Sequence, residues 1–130
     1  MFQNLAVFDA AYAMATHAGQ KQALIAQNVA NADTPGYVAR DLPRFQDIYA
    51  PRDGGGHVPR ATRSGHLHGM VDGSVTSMVE MDRSFASPDG NTVSLETEML
   101  RGTDAKRQHD RALAIYGSAL SILRTSLGRN

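Results

Sequence analysis

Apolar residues recur three and four positions apart over two long stretches of this chain, one at each end. In the first, Leu5, Phe8, Tyr12, Ala15, Gly19, Gln22, Ala26 and Val29 follow a 3-4-3-4 spacing. In the second, Leu95, Met99, Gly102, Lys106, His109, Leu113, Tyr116, Leu120, Leu123 and Leu127 do the same. That period predicts two long amphipathic helices, each with an a/d stripe, of roughly 40 and 50 Å at ~1.5 Å rise per residue. Asn4 is expected to cap the first and Ser94 the second. Glu96 and Glu98 near the start of the second helix, Arg124 near its end and Gly128 after it match the helix macrodipole and a C-cap. Two such helices are expected to pair along their stripes. Met14, Leu24, Ile25, Leu100, Ile115 and Ile122 lie off the stripes, and either the middle segment or neighbouring subunits must cover them.

Between the ends the pattern changes. Seven of the twelve Gly and four of the five Pro fall between Pro43 and Gly90. Val75 to Met81 is compatible with a strand, and Asp72-Gly73 suits a type I′ hairpin turn. Gly54-Gly55-Gly56 reads as a loop, without the Lys-Ser/Thr continuation of a phosphate-binding loop. The expected architecture is mainly α: two long terminal helices forming an antiparallel coiled coil, with an extended or irregular, partly β middle. The segments are 1–31, 32–92 and 93–130, within one structural domain.

Composition narrows the function. The 130 residues carry 13 Lys plus Arg and 13 Asp plus Glu, so the formal charge is zero. That argues against a general nucleic-acid or polybasic membrane binder. No Cys is present, which removes disulfides, thiolate metal sites and a Cys nucleophile. Hydrophobic residues make up 42% of the chain, but many are alanines, so the core is thin. No apolar run reaches the ~18 residues of a membrane span, and no secretory signal-peptide pattern opens the chain. His57, His66 and His68 lie close in sequence but lack a third ligand in a defined element, so they read as exposed loop histidines. His109 falls on the second stripe as a packed or interface residue, and His17 is expected on a flank of the first helix. No carboxylate pair or nucleophile elbow stands out. No catalytic residue, cofactor or metal is expected.

The sharpest local signal closes the first helix: Asn28-Val29-Ala30-Asn31-Ala32-Asp33-Thr34-Pro35-Gly36-Tyr37. Thr34 to Tyr37 fits a type II turn, with Pro presetting φ and Gly supplying a positive φ. The residue before Pro is driven from the α region, so the helix ends before Thr34. Asn31 is placed to bond the freed carbonyls or to adopt the left-handed cap. Tyr37 then opens an extended segment running back along the helix. By spacing alone this is a helix terminator and names no function.

These residues resemble the N-terminal signature of the bacterial flagellar axial proteins of rod, hook and hook–filament junction. Asn28, Val29, Ala30, Asn31, Thr34, Pro35, Gly36 and Tyr37 carry it. Ala39-Arg40-Asp41, Phe45, Gly90-Asn91-Thr92-Val93, Leu95-Glu96, Glu98-Met99 and Ile122 to Gly128 are similar to the short proximal rod members of that family. The resemblance implies a structural subunit of the basal body rod, transmitting torque through terminal helices packed on neighbours. The assembly residues would be Leu5, Phe8, Tyr12, Val29, Leu95, Met99, Leu113, Tyr116, Leu120, Leu123 and Leu127. The implied partners are copies of itself, other rod proteins, the rod–MS-ring adaptor FliE and the flagellar type III export gate, with no nucleic acid and no direct membrane insertion. The implied location is the periplasmic part of the basal body, reached without a cleaved signal peptide. Phe45 and Tyr49 are a candidate export signal, with a buried aromatic pair as the alternative. The alternative for the whole chain is a small helical interaction or regulatory module unrelated to flagella.

Overall fold

In the computed structural model, residues 2–49, 79–80 and 86–128 are described. Helix α1 spans Phe2–Ala30 and helix α3 spans Leu95–Leu127; between them come strand β1 (Arg40–Asp41), the single-turn helix α2 (Phe45–Ile48) and strand β2 (Val79–Glu80). The two long helices pack side by side and run antiparallel. Phe8 meets Tyr116, His17 meets Gln108 and Asn28 meets Glu98, so partners descend in α3 as they ascend in α1.

Four of the six side chains buried along the line between the helices are alanines. Ala11, Ala18 and Ile25 face it from α1, and Glu98, Ala105 and Ala112 from α3. Each set repeats every seven residues, the spacing that keeps one side of a helix on its partner. Alanine at these positions lets two backbones approach closely at little entropic cost, because its side chain has no rotamers to lose.

This corrects the expected pairing. Tyr12, Gly19 and Ala26 each follow a buried α1 position by one residue, and Met99, Lys106 and Leu113 each follow a buried α3 position by one. One residue turns a helix by about 100°, so the stripes of large residues stand beside the seam. The reason is physical: both alternatives have the same period, and the alanine one permits the closer contact. Among the off-stripe residues, Ile25 belongs to the seam, Met14 and Leu24 are half-buried, and Leu100, Ile115 and Ile122 are exposed.

The helix ends follow local chemistry. The Ser94 hydroxyl accepts from the Thr97 N–H, and the Gly128 N–H donates to the Arg124 carbonyl. Asn4 is not a cap, since α1 begins at Phe2 and runs through it. Among the described residues the middle shows one two-residue pairing, Arg40–Asp41 antiparallel to Val79–Glu80. The partly β middle is therefore not shown. The hairpin at Asp72-Gly73, the loop at Gly54 to Gly56, and His57, His66 and His68 lie outside the described residues, as does the side chain of Leu5.

Ala105→Leu inserts three carbon atoms into the alanine seam and should destabilise the folded chain by ~1–3 kcal/mol. Leu113→Ala, at a side chain 53% exposed, should change the stability of the isolated subunit by less than ~1 kcal/mol. Urea unfolding followed by circular dichroism checks both, and the reverse ranking would place the seam on the outer stripe.

Candidate functional site

The end of α1 is closed by a polar clasp built from both ends of the chain. Its centre is Asn28, whose side chain is fully buried. The amide Nδ2 donates to the Arg40 carbonyl at 2.8 Å and to Glu98 Oε2 at 3.1 Å. Oδ1 accepts from the Arg40 N–H at 3.1 Å and from the Tyr37 hydroxyl at 3.2 Å. A carboxamide offers two donors and two acceptor positions, and here all four are used. The same pattern fixes which way the amide points, because the nitrogen faces two oxygens and the oxygen faces two donors.

Glu98 is 1% exposed. Its second oxygen accepts from the Arg101 guanidinium at 2.9 Å, one helical turn along α3. Arg101 reaches on to Asp41 at 3.8 Å, and Asp41 is also 3.5 Å from Lys21 on α1. The buried carboxylate thus has a cation on one oxygen and an amide on the other, the arrangement that offsets its desolvation.

A second polar residue seals the turn. Asn91 is buried, and its Nδ2 lies 2.9, 2.8 and 2.9 Å from the carbonyls of Asn31, Ala32 and Thr34. Its Oδ1 accepts from the Val93 N–H, two residues on, at 2.8 Å. The Gly36 N–H donates to the Asp89 carbonyl, the Thr92 N–H to the Tyr37 carbonyl, and the Ala39 N–H to the Thr92 hydroxyl. The turn itself has the expected form: Tyr37 N–H donates to the Thr34 carbonyl, and Gly36 has φ 72°. Asn31 bonds the Gln27 carbonyl rather than entering the left-handed region. Gly90, at φ 81°, passes so close to Gly36 that a Cβ on it would sit 3.4 Å from the Gly36 Cα. Both positions favour glycine for their positive φ.

From Tyr37 the chain runs back along α1, as expected. Ala39 and Leu42 are buried, and His17 Nε2 bonds the Pro43 carbonyl at 2.8 Å. His17 is 4% exposed, with Gln108 at 3.3 Å from Nδ1 and the Phe45 ring at 5.7 Å. It lies on the flank expected for it, one residue before the seam residue Ala18, and is buried there by the returning segment. Phe45 and Tyr49 stack with ring centroids 4.8 Å apart, both half-buried.

That segment covers part of one side of the helix pair, and Val7, Ile115 and Ile122 stay exposed beyond it. The other side carries the stripes of large residues. In an antiparallel pair, stepping one residue past the seam on each helix leads to the same side. Tyr12 and Val29 on α1 therefore share a surface with Met99 and Leu113 on α3. Tyr12 is 73% exposed and Met99 72%. Phe8 and Tyr116 close over the seam on this side, with their rings edge to face at 5.1 Å. Leu95 and Leu127 are exposed toward the two ends, and Leu120 and Leu123 are half-buried. Spacing did not reveal that Asn91 and Glu98 bond the signature residues, nor that the returning segment buries His17. The heptad spacing of Glu98 with Ala105 and Ala112 carried the signal for Glu98.

Among the described residues no group of three His, Asp or Glu could hold a metal ion. No described helix is long and apolar enough to cross a membrane. The arrangement joins and presents helices.

Residues 13–37 match the family model described as "Flagella basal body rod protein". The chain is 31% identical to the flagellar basal body rod protein FlgB of Salmonella typhimurium, over 78% of each chain. Identity to FlgB of Cereibacter sphaeroides is 31% over 80% of each. To FlgB of Agrobacterium fabrum it is 29%, over 83% of this chain and 82% of that one.

Asn28→Asp removes both amide donors and turns a carboxylate toward Glu98 and the Arg40 carbonyl. With ~1–3 kcal/mol for each buried group left unsatisfied, the loss should exceed ~3 kcal/mol in urea unfolding. Adding Glu98→Gln to that variant returns a donor to the contact and should recover part of the loss. A neutral Asn28→Asp would show that the clasp is open in solution.

Proposed function

The chain belongs to the FlgB flagellar basal body rod proteins, and from that membership we propose how it is built into the rod. It is a structural subunit, not an enzyme, and it assembles with other components of the rod. The observation that carries the finer reading is the uncovered apolar side of the helix pair. A single subunit leaves Tyr12, Met99 and Leu113 in water on one surface, beyond the scatter of single apolar residues that any protein surface shows. Neighbouring rod subunits, copies of this chain or its homologues, cover that side. Leu5, Phe8, Val29, Leu95, Tyr116, Leu120, Leu123 and Leu127 extend the same contact along the two helices.

This reading places the subunit in the proximal, periplasmic part of the rod, where it meets the adaptor FliE and carries torque from one layer to the next. Delivery is through the flagellar type III export gate, without a cleaved signal peptide. Phe45 and Tyr49 serve as the aromatic export signal while the chain is unfolded; in the folded subunit the pair is stacked and half-buried.

Tyr12→Asp or Leu113→Asp should abolish swimming in soft agar and leave basal bodies without a completed rod. The purified variants should unfold in urea like the unmodified chain. Normal rods in either variant would remove this surface from the assembly contact. Tyr49→Ala should hold the subunit in the cytoplasm, and unchanged secretion would exclude the pair as a signal.

A further inference from the structure

The two sides of the helix pair differ in relief, and in opposite senses along its length. Contacts across the seam show which residues share a level: Phe8 with Tyr116, and His17 with Gln108. At the His17 level the returning segment stands out from one side, held by its Pro43 carbonyl and its Phe45 ring. Two residues on, the side that carries the stripes is at its lowest. Gly19 lies there, with nothing within 4 Å of the place a Cβ would take. Toward the Phe8 level the relief reverses. Beyond the returning segment Val7, Ile115 and Ile122 line a groove of about 370 Å³, and the stripe side is at its highest, with Tyr12, Leu113 and Tyr116 exposed. A cavity of roughly 150 Å³ already holds a benzene ring, so the groove has room for a side chain of that size.

Charge follows the same relief. Asp47 on α2 is exposed and has no ion-pair partner among the described residues. Lys106, one residue past the seam on α3 and 70% exposed, stands on the low part of the stripe side. Arg111 lines the groove, where a guanidinium suits an entering aromatic ring.

We propose that copies of this chain stack in one orientation, the stripe side of one against the roofed side of the next. The raised Tyr12 and Leu113 enter the neighbour's groove. The neighbour's returning segment sits over Gly19, with Asp47 toward Lys106. This rests on the reading of the stripe as an assembly surface and names what that surface meets. The two faces differ, so each docked copy still offers one of each, and the contact is heterologous and propagates. Stripe against stripe would close as a dimer and leave both grooves and both Asp47 carboxylates unmatched.

Gly19→Leu fills the low point of the stripe side. In the isolated subunit the new side chain enters open space and leucine is the better helix former, so the urea midpoint should hold or rise. Swimming in soft agar should be lost. Normal swimming would overturn the proposal, and so would a lowered midpoint, which would mean that Gly19 meets its own chain. The chain has no cysteine, so Gln22→Cys on the stripe and Gln46→Cys on the returning segment can be bridged selectively. A short bis-maleimide applied to isolated basal bodies should link the double variant into dimers and longer ladders, and Gln22→Cys alone into none. Dimers from Gln22→Cys alone, or no ladder from the double variant, would also overturn it. Tyr12→Asp separates the two readings: if it stops swimming and Gly19→Leu does not, the stripe is an assembly surface and only the stacking falls.

Discussion

The buried carboxamide of Asn28 holds the rest of the structure in register. The seam it terminates is lined by alanines, and alanine against alanine gives nearly the same contact when one helix slides by a turn or a heptad. Dispersion in such a seam favours close approach but chooses weakly among registers. The pairing of Asn28 with Glu98 does choose. Sliding α3 by one turn would bury a carboxylate and an amide without partners, at several kcal/mol. A single buried polar contact therefore specifies an alignment that the apolar surface leaves degenerate, much as one buried Asn fixes register in coiled coils.

The alanine seam also explains why the core is thin. Small residues face inward and bring the helices together; large ones stand on the outer side and in isolation face water. A monomer designed for its own stability would place Leu113 and Met99 inward. Here the arrangement leaves Tyr12, Met99 and Leu113 in water rather than burying them between the helices. The opposite side is roofed by the segment from Tyr37 to Tyr49, fixed at His17 and Asp41. The helix pair thus has one side partly roofed and one that carries the large stripe residues.

Much of this was legible in the sequence, and the failures have causes. The helix ends were readable because Ser94, Thr34-Pro35-Gly36 and Gly128 act through local backbone chemistry. The antiparallel pair followed from two periodic stretches joined by a Gly- and Pro-rich middle. The facing stripe was misassigned because a heptad template weights residues by size, and Tyr12, Met99 and Leu113 outweigh Ala11, Ala105 and Ala112. Period alone cannot separate two stripes one residue apart. The bonds of Asn91 and Glu98 to the signature were not visible, since their partners lie 57 to 70 residues away. The burial of His17 on its flank was not legible, because nothing near it in sequence announces the Pro43 carbonyl, 26 residues on, that it bonds.

Two helices in a rod subunit act as one member only if they resist sliding past each other. An alanine seam offers little resistance, because it lacks large side chains interlocked between turns. Resistance is concentrated at the clasp, where shear would have to break the Asn28–Glu98 contact, the Arg101–Asp41–Lys21 chain of charges and the three carbonyl contacts of Asn91 together. These bonds link α1, the returning segment and α3, so a load entering through any one of them is shared by the others. At the far end the helices meet through Phe8 and Tyr116, an apolar contact that tolerates small displacements. The pair is rigid where the chain's two ends are bonded and compliant where they are merely packed. That asymmetry follows directly from putting the polar residues of the signature at one end of a smooth seam.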